Sequence, residues 1–190
     1  MTCIVVLGCF RSGTSAVAGT LHHLGIFMGE KFTDPNKNNP KGFFEDQEFK
    51  HLHEAYEDCQ TDSYDKGTWI DQHYKNLIDS RNARHTIWGV KDPLFCQYLS
   101  KFTSFCPDTK VIVCRRSVDQ IAESMARAVG INNIFTSIAQ GYVDQMNESL
   151  ALYQGPVLEI HKQAPMIDIL DPICEFVGFP KTQQAIDFLS

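Results

Sequence analysis

No apolar run in this chain of 190 residues approaches the ~20 that a membrane-spanning helix needs. Cationic charge is in deficit. Seventeen Lys and Arg stand against 23 Asp and Glu, for a net charge of −6, which argues against nucleic acid as the main partner. A local basic site can still exist inside an acidic surface. There is no C-x-x-C, and the seven cysteines are odd in number: Cys3, Cys9, Cys59, Cys96, Cys106, Cys114 and Cys174. Neither a disulfide framework nor a thiolate metal knot fits that pattern. Reduced thiols used as small hydrophobes do. Cys9 alone sits in a polar loop, where an activated thiol is the alternative to a small loop residue. Histidines at metal-ligand spacing are missing too. His51 and His53 point to different sides of a helix, and His22 and His23 have no partner, so no metal is expected. An apolar strand opens at residue 3 and leaves no room for a leader, so a cytoplasmic protein is expected. No repeat, low-complexity tract or linker divides the chain, and residues 1–190 are expected to form one domain.

What is present begins at Cys3. Cys3 to Leu7 is apolar and β-branched without alternation, the pattern of a strand buried on both faces. Gly8 and Gly13 bracket a polar turn. Val17, Ala18, Leu21 and Leu24 then share a helical face, stopped by Gly25. A strand, a Gly-bounded loop and a helix can cradle a phosphate or sulfate on backbone N–H groups and the helix N-terminus.

Residues 26–44 carry little regular pattern, and Asp34 to Pro40 is rich in turn residues. A helix is expected from about Asp46, with Phe49, Leu52, His53 and Tyr56 on one face. Residues 60–68 read as turn, and Trp69 to Arg84 as helix. Thr86 to Val90 is a second strand. Asp92-Pro93 is an N-cap and N1 pair that opens a helix to Phe105. Lys110 to Cys114 is a third strand, followed by a helix burying Val118, Ile121, Ala122 and Met125. Ile134 to Leu150 repeats every four residues, so a long helix fills 134–153. Val157 to Ile160 is a fourth strand. Asp171-Pro172 opens a helix stopped by Gly178, and a last helix covers 181–189.

Alternating strands and helices predict an α/β fold of three layers. A mostly parallel central sheet of four to five strands carries helices on both faces, as in P-loop proteins. Ligands bind beyond the carboxyl ends of such strands. The turns there are Gly8–Ser15, Lys91–Pro93 and Arg115–Ser117, three polar and mostly cationic segments on one edge.

The first loop departs from the nucleoside-triphosphatase motif G-x-x-x-x-G-K-[ST] at the lysine, where Thr14 stands. The cation has moved to Arg11. An arginine fork holds a tetrahedral oxyanion without a metal, with Ser12, Thr14 and Ser15 as hydroxyls around it. Arg11-Ser-Gly-Thr-Ser15 after a buried strand resembles the 5′-phosphosulfate loop of sulfotransferases that use 3′-phosphoadenosine 5′-phosphosulfate (PAPS). Arg116 with Ser124 eight residues on resembles the pair that holds the 3′-phosphate in that family. Arg115 is the alternative if the strand shifts by one. Asn39 to Asp46 and Trp88 to Pro93 resemble stretches of bacterial sulfotransferase-like proteins. Two features of the family are missing. No Gly-rich Lys/Arg segment precedes Ser190, and Ile160-His161-Lys162 replaces the usual tyrosine and acidic pair.

The resemblance implies sulfuryl transfer from PAPS to a hydroxyl or amine, on a small-molecule or glycan-like acceptor. Its catalytic residues would be Arg11, Lys91 and Glu45. Glu45 would act as base, against the alternative of a first-turn helix Glu. The cofactor would be held by Arg11, Ser12, Gly13, Thr14, Ser15, Arg116 and Ser124. Phe43, Phe44, Phe49 and Tyr56 hint at a ring-bearing acceptor or are simply core. The rival readings are a P-loop small-molecule or nucleotide kinase and a non-catalytic nucleotide-binding relative.

Overall fold

The computed structural model describes residues 1–58, 64–130, 135–161 and 165–190. Four strands, β1 (Thr2–Leu7), β2 (Ile87–Lys91), β3 (Thr109–Arg115) and β4 (Val157–His161), form one sheet in the order β2-β1-β3-β4. Every pairing is parallel. The β-branched run therefore sits at the middle of the sheet, and Cys3 to Leu7 are all fully buried.

The two-residue period of β1 sorts its side chains into two cores. Ile4 and Val6 face the cluster built with α1 (Thr14–His23), α7 (Leu170–Val177) and α8 (Gln183–Leu189). Cys3, Val5 and Leu7 face the cluster built with α2 (Gln47–Asp58), α3 (Tyr64–Arg84), α4 (Phe95–Phe105) and α6 (Phe135–Leu152). Residues of α5 (Val118–Val129) pack with Cys9 and Ala139 in a third, smaller group. The layers are those expected, with helices on both faces of a parallel sheet.

Some boundaries move. The helix expected from Trp69 begins at Tyr64. Residues 60–63, Ile134 and Lys162 lie outside the described residues, as does Cys59. The helix expected at Asp92 begins instead at Phe95. One Asp92 oxygen accepts from the Leu94 amide at 3.0 Å and the other lies 2.8 Å from His53 Nδ1, so the carboxylate holds a turn ahead of α4. A short 3-10 turn, Met166–Ile169, leads into α7 one residue before Asp171. The expected aromatic cluster also divides. Phe44 joins the α1 core, while Phe49 and Tyr56 join the opposite one.

The segment between α1 and α2 is a loop pinned at its base. Phe32 and Asp46 form an antiparallel bridge. The Thr33 amide donates to the Glu45 carbonyl at 3.3 Å, and the Gln47 amide to the Lys31 carbonyl at 3.0 Å. Arg81, fully buried on α3, holds this base through Asp46 at 3.0 Å and through Glu48. No described helix is long and apolar enough to cross a membrane.

Candidate functional site

The loop after β1 is shaped by close approach. A Cβ on Gly8 would stand 2.7 Å from Ser12 Oγ and 3.0 Å from the Cys114 carbonyl, so only glycine fits. Arg11 has φ 66°, a left-handed conformation that costs a non-glycine residue about 1–2 kcal/mol. Such strain collects at functional sites. Gly13 is the N-cap of α1, with φ 104° and no capping side chain, and no acidic residue occupies the first turn. The Gly13, Thr14 and Ser15 amides come before the first amide that donates within the helix, Ala16 to the Gly13 carbonyl at 3.0 Å. They and the positive end of the helix dipole face the loop.

A cleft of about 440 Å³ collects Arg11, Gly13, Thr14, Ser15, Glu45 and Lys91, with Phe43 and Asn38 on its walls. Glu45 is not in a helix. It precedes α2 and is buried, as is Lys91 at the end of β2. Lys91 Nζ donates to Glu45 Oε1 at 2.6 Å, and Thr33 Oγ1 donates to Oε2 at 3.3 Å. A residue from the pinned loop and one from a strand end thus meet beside the uncapped helix.

Ser12 behaves differently from its neighbours in sequence. Its hydroxyl donates to the Cys9 carbonyl at 2.6 Å and its amide to the same oxygen at 3.2 Å, so it shapes the loop from inside. Of the expected hydroxyls, Thr14 and Ser15 line the cleft. Burial pushes the Cys9 thiol up to about 12, against the Phe10 amide, which leaves it unactivated. The six described cysteines are buried and form no disulfide.

Arg116 and Ser124 stand next to the cleft and are tied to it through Arg11. Arg11 Nε donates to Ser124 Oγ at 3.1 Å, and Arg116 Nη1 donates to the Arg11 carbonyl at 2.7 Å. Arg115, the alternative, points elsewhere, to Glu159 at 2.9 Å and Asn147 at 2.6 Å. Asn38 went unnoticed in the sequence. Its carbonyl accepts from Arg11 Nη1 at 3.2 Å, and its side chain donates to the Ala128 carbonyl at 3.4 Å. The turn-rich composition of residues 34–40 marks a loop but not where its tip lands. Thr33 carried no signal either.

Beneath Lys91 lies a buried polar chain. His53 Nε2 lies 2.9 Å from Tyr74 Oη, and its Nδ1 contacts Asp92. All three residues are buried. Burial would push the Asp92 carboxyl up, but the His53 hydrogen bond and charge, the Leu94 amide and Lys91 outweigh it and hold it below its ordinary 3.8. A depressed folded-state value gives stability that is complete above 3.8 and is lost as pH falls through the folded value. Urea midpoints between about pH 5 and pH 2 are expected to fall less steeply in Asp92→Asn than in the wild type, from a start about 1–3 kcal/mol lower. Parallel slopes in the two proteins would remove Asp92 from the acid response. Asp46 runs the other way. Burial lifts its carboxyl to about 6, although Arg81 pulls it down. Among the described residues, no group of three or more His, Cys, Asp and Glu could hold a metal ion.

A buried parallel strand, a glycine-bounded loop and an uncapped helix, in an all-parallel sheet with two helical layers, define a P-loop-like α/β protein. Within that class, residues 3–163 match the sulfotransferase domain model, and the chain belongs to that family. Among curated proteins, none matches this sequence significantly. Solved structures share the fold. Sulfotransferase STF1 of Mycobacterium tuberculosis H37Rv superposes with a TM-score of 0.59 at 14% identity, over 98% of this chain and 70% of its own. STF9 of Mycobacterium avium gives 0.55 at 12%, over 98% and 66%. A gluconokinase of Sinorhizobium meliloti 1021 gives 0.56 at 16%, over 93% and 91%.

Proposed function

We propose that this protein, acting as one domain, is a PAPS-dependent sulfotransferase that sulfates a hydroxyl or amine of a small-molecule or glycan-like acceptor. The observation that carries this reading is the buried Lys91–Glu45 pair facing the uncapped N-terminus of α1 across the Arg11 loop. The donor set suits an oxyanion. It offers backbone amides, a guanidinium and two hydroxyls, with Thr14 where a triphosphatase would carry lysine. The donor nucleotide, when bound, supplies the activated sulfuryl group.

The chain's residues then do three things. Arg11 and the Gly13–Ser15 amides hold the 5′-phosphosulfate and stabilise charge on the departing bridging oxygen. Glu45 accepts the acceptor's proton as its oxygen or nitrogen attacks sulfur in line. Protonation of Glu45 leaves Lys91 without its counter-charge at 2.6 Å, so its ammonium becomes available to the transferring oxygens at the moment charge develops there. Buried thiols suit a reducing cytoplasm. The gluconokinase likeness favours a kinase by fold alone.

Purified protein is expected to gain about 2.7 kcal/mol, a rise of several degrees in Tm, with adenosine 3′,5′-bisphosphate at a hundred times its Kd. No shift is expected with Mg-ATP. A shift with Mg-ATP alone would replace this reading by the kinase. Binding of the bisphosphate without transfer of labelled sulfate to any acceptor in a screen would leave a non-catalytic relative.

A further inference from the structure

Three guanidiniums gather where the β1 loop meets α5. Arg11 reaches Ser124, and Arg116 reaches the Arg11 carbonyl. Arg127 stands three residues after Ser124 on the same helix, the spacing at which side chains are neighbours. Asn38 closes the ring by joining Arg11 to Ala128, the residue next to Arg127. Arg116 registers the crowding. Burial, then Arg127, then Arg11 hold it below the ordinary arginine value, opposed by Glu123.

The counter-charge is thin. Arg127 Nη1 lies 3.8 Å from Glu123 Oε2, with the two side chains 67% and 68% exposed. An exposed pair of this kind contributes about 0–1 kcal/mol and exchanges readily for a better anion. A phosphomonoester dianion is such an anion, because its oxygens match guanidinium forks.

We propose that Arg127 leaves Glu123 to bind the 3′-phosphate of the donor nucleotide, completing a three-arginine clamp with Arg11 and Arg116 around Ser124. The inference rests on the PAPS reading and names a residue that the family resemblance does not supply.

The test is calorimetric titration of the full chain with adenosine 3′,5′-bisphosphate and with adenosine 5′-monophosphate. The wild type is expected to prefer the bisphosphate by about 100-fold, as charge-assisted hydrogen bonds to one extra phosphate imply. Arg127→Ala is expected to cut that preference by about tenfold with the monophosphate affinity unchanged, and Arg127→Lys to recover part of it. A preference that survives intact in Arg127→Ala would overturn the role of Arg127 and leave the donor reading standing. A wild type that binds the two nucleotides equally, or neither, would overturn both. A second variant does not depend on how Arg127→Ala folds. Glu123→Gln removes the competing carboxylate and should raise bisphosphate affinity several-fold. No change there would overturn the release from Glu123.

Discussion

Arg11→Ala is expected to abolish measurable binding of adenosine 3′,5′-bisphosphate, a loss of at least about 100-fold, with the chain still folded. Two charge-assisted hydrogen bonds at about 1.5–3 kcal/mol each suffice for that loss. The Arg11 side chain also touches both ends of the proposed donor site. It lines the cleft at the helix N-terminus and bonds Ser124 on α5. Its left-handed backbone offers a control that separates binding from folding. Arg11→Gly relieves strain of about 1–2 kcal/mol and gives up two partly exposed hydrogen bonds of similar total. It is therefore expected to unfold within about 1 kcal/mol of the wild type and to bind as poorly as Arg11→Ala. Near-native affinity in Arg11→Gly would show that the loop amides alone hold the anion, and the guanidinium would lose its assigned role.

Glu45→Gln is expected to bind the bisphosphate normally and to lose turnover by about 100-fold or more, the size of a general-base contribution. The structure adds a stability effect that the sequence did not foreshadow. Glu45 and Lys91 are a buried pair at 2.6 Å, and removing one partner of such a pair leaves a lone buried charge at about 3–5 kcal/mol. Lys91→Met is thus expected to lower stability by that amount, and Glu45→Gln by somewhat less, because its amide oxygen still accepts from Lys91. The double variant Glu45→Gln, Lys91→Met should recover most of the stability and none of the turnover. Denaturant midpoints with single-turnover rates on all four proteins read both quantities. Normal turnover in Glu45→Gln would move the base elsewhere, and additive stability losses would mean that the pair is not coupled.

The resemblance in sequence pointed to Glu45 and Lys91 as separate candidates, a base and a second cation. Their contact depends on how a loop of some 20 residues closes, since Thr33, Phe32 and Arg81 pin the base of that loop and set where Glu45 points. None of those contacts has a local signature. The same holds for His53, which spacing excluded from a metal pair but which packs into a buried chain with Asp92 and Tyr74 from two other elements. Ser12 fits its motif by position, yet its hydroxyl turns to Cys9. Loop curvature decides that orientation, and residue type does not.

The sequence by itself determined the elements and their order. A β-branched run without polar alternation reads as a strand covered on both faces. Glycines at positions 8 and 13 must bracket a tight loop, and four-residue steps must be helical, because these preferences act within a few bonds. From that followed the parallel sheet, its two helical layers and an anion loop at the carboxyl edge. Only the tertiary structure decided which side chains meet there. It brought Glu45 to Lys91, sent Arg115 away to Glu159 and turned Arg116 toward Arg11. Those meetings join residues 44 to 105 positions apart. They exist because two cores pack on one sheet and draw distant loops to the same edge.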